Sequence, residues 1–252
     1  MEICRDAALC AAWARASGVE KILPEEAAGR LELCFFAAGE TLCNEGDEAA
    51  ALQFVLCGRY KLIRLTRAGQ ECLLRFFDAF SLIGELELLQ GGPSRTTAVA
   101  LGPLVCLRLP CARWRGALLD CNPFLRFLCS YLGYKTEQRS QNLTLMLGAR
   151  VPQRTASYLL ATAQNGLFEE NRLHLAEFLG CSHRQLLRAL ADFCRAGMLR
   201  REGRGYRILD FERLREASGG VYAGAPFRYP GLRAVRAEEF SQPGGGSGES
   251  SS

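Results

Sequence analysis

The chain is 252 residues long, 48% apolar, 23% charged and 9% aromatic, with a formal net charge of +4. That length fits one or two domains, and the composition excludes a disordered polymer, a collagen-like chain and a short disulfide scaffold. No uninterrupted apolar stretch reaches the roughly 18 residues that a membrane helix needs. The amino-terminal MEICRDAALCAAWARASG lacks the layout of a secretory or transit signal. The expectation is a cytoplasmic, soluble protein with no membrane partner.

Twelve cysteines are scattered along the chain with no C-x-x-C pair, and most lie in apolar runs such as LELCFF, FVLCG and VCLRL. Without an export signal they read as reduced, small hydrophobic side chains. The net charge is local. Residues 1–149 carry 16 basic and 16 acidic side chains, residues 218–252 carry three of each, and residues 150–217 carry 12 arginines against 8 acids. A basic surplus confined to one segment suits a polyanionic partner.

Residues 5–16 and 112–147 read as helical. Between them, over 31–110, the short apolar segments LQFVLC, YKLIRL, CLLRFF and VCLRLP are separated by glycine-containing turns. Such a pattern predicts an all-β roll or barrel. From Asn122, apolar residues at Leu125, Leu128, Leu132, Leu143 and Met146 line one side of a long helix. That seam either packs on the roll or forms a dimer interface. Pro152 permits a fresh helix start, Asn165–Gly166 ends that helix, and 173–209 reads as helix, turn, helix and strand pair. The last ten residues, PGGGSGESSS, have too little apolar surface to order.

The segment HLAEFLGCSHRQLLRALADFCRAGML predicts a helix-turn-helix. Leu175, Ala176, Phe178 and Leu179 give the first helix its apolar side, and Gly180 permits the turn. Ser182 and Gln185 form a capping box. Leu186, Leu187, Leu190, Phe193 and Cys194 form the expected buried stripe of the second helix, and Gly197 its left-handed end. A helix of this kind enters the major groove of double-stranded DNA by its amino-terminal end. Ser182, His183, Arg184, Gln185 and Arg188 are therefore the candidate DNA contacts there, with arginine suited to guanine and glutamine to adenine. The hairpin LRREGRGYRIL would be a wing whose Arg200, Arg201 and Arg204 meet phosphates.

A second constellation is IGELELLQGGPSRTTAVA. Gly84, Glu85 and Leu86 open a short apolar turn, and Arg95 and Thr96 follow ten residues after Glu85. A carboxylate accepts from a ribose hydroxyl and a guanidinium clamps a phosphate, so the set suits a cyclic nucleotide such as cyclic AMP. The competing reading is an internal Glu85–Arg95 ion pair that braces the roll.

On SLIGELELL, PFLRFLCSYL, LAEFLGCSHRQLLRALADF and GRGYRIL, the chain resembles bacterial transcription regulators of the CRP/FNR superfamily over about residues 30–215, and within it the YeiL-type subgroup most closely. The resemblance implies an α+β protein with three parts and a tail: a cyclic-nucleotide-binding β-roll over 1–120, a dimerisation helix over 121–149, a winged helix-turn-helix over 150–217, and a flexible tail over 218–252. It implies a homodimer on palindromic operator DNA, with RNA polymerase as a further partner. Gly84, Glu85, Arg95 and Thr96 match the family's phosphate-binding cassette, and Arg188 its recognition-helix arginine. Phe80–Ser81 stands where members commonly carry Gly-Asp, and Arg139–Ser140 where cyclic-AMP responders cap the purine with Thr-Ser. Arg184 replaces the usual recognition glutamate, which implies an operator unlike TGTGA half-sites.

Some members of the superfamily hold an iron–sulfur cluster on amino-terminal cysteines. Here Cys4, Cys10 and one more such as Cys129 would have to serve, without the close triplet. No enzyme is expected, since no Ser/His/Asp or Cys/His nucleophile grouping is present and the chain has two histidines. The alternatives are a cysteine-based redox sensor with an empty roll, and a nucleotide-binding signalling module without DNA binding.

Overall fold

Alternation along the strands builds the amino-terminal half. The structure, a computed structural model, describes residues 1–48, 50–66, 69, 71–221 and 226–240, with 142–147, 237 and 240 described by backbone alone. An edge strand β1 (Glu2–Cys4) precedes α1 (Ala7–Ser17), which is capped by Asp6, whose carboxylate accepts the Ala8 and Leu9 N–H groups at 2.8 and 3.0 Å. After α2 (Glu25–Ala28) come β2 (Glu32–Phe36), β3 (Thr41–Cys43), β4 (Ala51–Cys57), β5 (Arg59–Leu65), β6 (Glu71–Asp78) and β7 (Ser81–Ile83). A short helix α3 (Glu85–Gln90), β8 (Thr97–Ala100) and β9 (Leu104–Pro110) complete the roll. One antiparallel sheet has the order β1-β2-β9-β4-β7 and the other β3-β8-β5-β6. The four apolar segments expected as strands lie in β4, β5, β6 and β9.

Successive side chains of a strand point to opposite faces. In β9, Val105, Leu107 and Leu109 pack toward the helices, while Leu104 and Cys106 pack between the sheets. In β4, Leu52, Phe54 and Leu56 take the helical side and Val55 the inner one. Both strands are covered on two faces, which is why they read as continuous apolar runs. Cys34 and Cys106 are register partners across β2 and β9 and fully buried in the inner layer. All twelve cysteines are free thiols; Cys129 alone is exposed.

The helical stretch expected over 112–147 is two helices, α4 (Cys111–Leu119) and α5 (Asn122–Gly148). Pro123 explains the break, because proline fits only a first helical turn. The expected seam of α5 is carried by aromatic side chains. Phe124, Phe127, Leu128 and Tyr131 are buried against the roll, with Leu125 and Leu132 half-buried. The side chains of Leu143 and Met146 lie outside the described residues.

The carboxy-terminal half comprises α6 (Val151–Thr162), β10 (Leu167–Phe168), α7 (Arg172–Phe178), α8 (His183–Arg195), β11 (Leu199–Glu202), β12 (Gly205–Ile208) and α9 (Phe211–Ser218). The three strands form one sheet, β10-β12-β11. Ile63, Leu73 and Phe76 of the roll join its core, with Phe76 and Tyr158 rings 5.8 Å apart and Lys61 over the Phe178 ring.

The tail differs from expectation. Instead of running free from 218, residues 226–239 fold back over the roll. Phe227 packs against Tyr131, Tyr134 and Phe127, at centroid distances of 4.9, 5.2 and 6.0 Å. The Val235 N–H donates to the Leu56 carbonyl at 2.8 Å and the Arg233 N–H to that of Ser17 at 3.0 Å. The Gly/Ser composition that argues for disorder belongs to the last ten residues, which lie outside the described ones. PFRYPGLRAV before it carries the anchors Phe227, Tyr229, Leu232 and Val235. Phe227→Ala is expected to cost on the order of 3 kcal/mol, at the low end of buried Phe→Ala losses, and to open the tail to protease. Denaturant unfolding and limited proteolysis check this; an unchanged midpoint would place the tail in solution.

Candidate ligand cavity and nucleic-acid interface

A cavity of about 810 Å³ opens between β3, β5–β7, α3, the 94–96 turn and α5. Gly84, Glu85, Leu86, Arg95 and Thr96 all line it. Gly84 starts α3 at φ 93°, and a Cβ there would sit 2.7 Å from the Ala51 carbonyl oxygen. Only glycine takes that backbone this close to β4 at no steric cost. Arg95 is exposed; its guanidinium donates to Gln90 Oε1 at 2.6 Å and its backbone N–H to Glu87 Oε1 at 3.1 Å. Ser140 is exposed on α5 and is not among the lining residues, whereas its neighbour Arg139 is.

The Glu85–Arg95 brace does not form. Glu85, 3% exposed, is paired instead with Lys135 of α5, Nζ to Oε1 at 2.5 Å. Lys135 also lies over the Tyr131 and Phe77 rings. Tyr131 fastens α5 to the same wall, its hydroxyl accepting the Leu82 N–H at 2.9 Å and donating to the Leu82 carbonyl at 3.1 Å. Burial, then the Glu85 carboxylate, pushes the Tyr131 phenol well above its ordinary range. Arg75 of β6 reaches across to α5 as well, Nη2 donating to Tyr134 Oη at 3.1 Å and Gln138 Oε1 at 3.0 Å.

Sequence reasoning missed Arg75 and Lys135, while Arg139, noted there beside Ser140 at the purine-capping position, does line the cavity. A signal was present for Lys135 and Gln138: they continue the helical stripe 124, 127, 128, 131 into polar residues. For Arg75 it was a lone charge within the apolar run of β6.

The helix-turn-helix follows α5 and α6 in the chain. Asn171 caps α7, its Oδ1 accepting the Leu173 N–H at 2.9 Å. Gly180, at φ 61°, makes the turn to α8. Ser182 Oγ accepts the Gln185 N–H at 3.2 Å, and Gln185 Oε1 accepts the Ser182 N–H at 2.9 Å. Gln185 thus spends its carbonyl on the cap, leaving only the amide N–H₂ to face outward. Leu186, Ala189, Leu190 and Phe193 form the buried stripe. Leu187, expected in it, is 38% exposed and stands on the open face with Arg184 and Arg188, where an apolar side chain can meet a thymine methyl. His183 is half-buried. In the hairpin, Arg207 is forked onto Glu202 at 2.6 Å twice, and Arg200 lies 3.6 Å from the same carboxylate. Among the described residues Arg184, Arg188, Arg201 and Arg204 make no ion pair. These four exposed guanidinium groups give one helix and one hairpin a basic surface.

Two family matches coincide with these two sites. Residues 33–120 match the cyclic nucleotide-binding domain and residues 153–217 the Crp-like helix-turn-helix domain. Regulatory protein YeiL of Escherichia coli O157:H7 is 32% identical over 182 residues, covering 72% of this chain and 83% of that protein. The chain belongs to the CRP/FNR family of transcription regulators. A CRP-like cAMP-activated global transcriptional regulator of Mycobacterium tuberculosis is 28% identical, over 78% of this chain and 92% of its own. Among solved structures, a CRP-family transcriptional regulator from Thermus thermophilus superposes with a TM-score of 0.60 at 21% identity, over 76% of this chain and 100% of the other.

The remaining family option, a metal cluster, finds no matching geometry. Cys10 is buried, Cys4 half-buried and Cys129 exposed, and among the described residues no three His, Cys, Asp or Glu side chains are grouped to hold a metal. Among them, too, no helix is long and apolar enough to cross a membrane.

The Glu85–Lys135 pair gives a direct test. Removing one partner of a buried pair leaves an uncompensated charge, at a cost of about 3 kcal/mol, whereas removing both costs less. Lys135→Met should therefore destabilise more than the double variant Glu85→Gln/Lys135→Met. Denaturant unfolding of the double-mutant cycle checks this; strictly additive losses would show that the two groups do not interact.

Proposed function

We propose that this CRP/FNR regulator acts as a cytoplasmic homodimer that reads an operator through α8 and senses a small anionic molecule, of the cyclic-nucleotide class, in the roll. The observation that carries the DNA-reading role is the open face of α8, where Arg184, Leu187 and Arg188 are exposed while the opposite face is fully packed. Arg184 and Arg188 offer donors to base edges, and Ser182, His183 and the amide of Gln185 flank them at the helix end that enters the groove. Arg200, Arg201 and Arg204 serve phosphates, which fix register without reading sequence. With arginine at 184 there is no acceptor for cytosine at that position, so the operator differs from TGTGA.

The ligand reading is supported by Gly84, Glu85, Leu86, Arg95 and Thr96 lining one cavity, by the domain match over them, and by the cAMP-activated relative. Dimerisation is supported by the outer face of α5. Cys129, Ser130 and Gly133 are exposed there, and small side chains let two helices approach closely. In such a dimer a ligand acts by favouring the arrangement that spaces the two α8 helices about one DNA turn apart. Contact with RNA polymerase belongs to the same reading.

Arg188→Ala should weaken specific binding by roughly 1–3 kcal/mol and relax one base position. Arg204→Ala should lower affinity on every sequence alike and reduce the salt slope by about one. Anisotropy titrations on selected and scrambled duplexes separate the two; an unchanged base preference in Arg188→Ala would refute the reading role. Calorimetric titration of the reduced protein with cyclic AMP should give saturable heat that Arg95→Ala abolishes.

A further inference from the structure

Arg75 is 7% exposed, yet no carboxylate lies within ion-pair distance of it among the described residues. Its Nη2 donates only to neutral groups, Tyr134 Oη and Gln138 Oε1, and its Nε is buried with no hydrogen-bond partner. The Phe77 and Tyr134 rings, 4.9 and 5.5 Å from the guanidinium carbon, offset part of the charge. A buried cation is ordinarily paired, and leaving one unpaired is costly. A guanidinium cannot escape that cost by losing its proton. Among the described residues, then, this cation has no anionic partner.

Arg75 lines the 810 Å³ cavity together with Arg95 and Arg139, neither of which makes an ion pair among the described residues. Four carboxylates also line the cavity, Asp47, Glu48, Glu85 and Glu87, and among the described residues none makes an ion pair with Arg75, Arg95 or Arg139. Glu85 is held by Lys135, Asp47 by the Asn44 side chain, and Glu87 by the Arg95 N–H. Arg75 also borders a smaller crevice toward the DNA-binding domain, but the charges there, Arg59 with Asp78 and Arg215 with Glu212, are paired already. Arg75 thus borders both spaces, and only the larger one is also lined by Arg95 and Arg139, cations without an ion pair among the described residues.

We infer that Arg75 is a second anion-binding group of the cavity, and that the ligand carries two acidic groups, one held at Arg95 and Thr96 and one at Arg75. This rests on the cavity being the ligand site. It narrows the ligand class from a nucleotide with one phosphate to one with two, and the cavity volume accommodates the larger molecule.

The test is calorimetry of the full chain with three probes: cyclic AMP, with one phosphate, and adenosine 3′,5′-bisphosphate and cyclic di-AMP, with two. The better two-phosphate probe should bind at least tenfold more tightly than cyclic AMP. Arg75→Met, which keeps the stem packing, should erase that preference and leave cyclic AMP within about twofold, while Arg75→Lys restores part of it. Equal or tighter binding of cyclic AMP by the wild type overturns the inference without any variant, and so does a preference that survives in Arg75→Met. Absence of heat from all three probes overturns the ligand-cavity reading itself.

Discussion

Glu85 is a carboxylate taken out of water on the wall of a cavity, and Lys135 makes that placement tolerable. The two come from distant parts of the chain, the short helix α3 and the long helix α5. Their attraction therefore does two jobs: it neutralises a buried charge, and it fixes one point of α5 to the roll. Tyr131 and Arg75 add hydrogen bonds to the same helix within two turns. Anything that enters the cavity and competes for Glu85 acts on α5 directly. From there α5 runs without a break to Gly148, three residues before the first helix of the DNA-binding half.

The aromatic side chains explain why α5 is rigidly seated. Phe124, Phe127 and Tyr131 pack into the helical side of a sheet whose central strands are buried on both faces. Phe227 then closes over Phe127, Tyr131 and Tyr134 from outside. Tyr134 thus has Phe227 against its ring and Arg75 on its hydroxyl. The chain that leaves the DNA-binding domain returns to cover the helix that carries the cavity's lysine, so the two halves are tied at both ends of α5.

Much of this was legible in the sequence for identifiable reasons. The doubly buried strands announce themselves as unbroken apolar runs, and Ser182, Gln185 and Gly180 mark the turn and start of α8 by local chemistry alone. Gly84, Glu85, Arg95 and Thr96 lie within thirteen residues, so their meeting needs no long-range information. What escaped depends on tertiary context. The partner of Glu85 is fifty residues away, and the helical stripe that places Lys135 on the packed side of α5 does not say which carboxylate it meets. Leu187 satisfies a helical apolar pattern yet points outward, because Ala189 and Leu190 already fill the stripe. The tail misleads by composition: its glycines and serines mask four apolar anchors upstream.

The central claim is that the cavity and the DNA-reading helix communicate through the Lys135 attachment of α5. The most direct measurement is the affinity of ligand-free protein for its selected duplex, comparing wild type with Lys135→Met at a temperature where both are fully folded. A several-fold change in Kd, with an unchanged order of preference among duplexes, is the predicted result. Identical affinities would contradict it, and would leave Glu85–Lys135 as a pair that stabilises the roll alone.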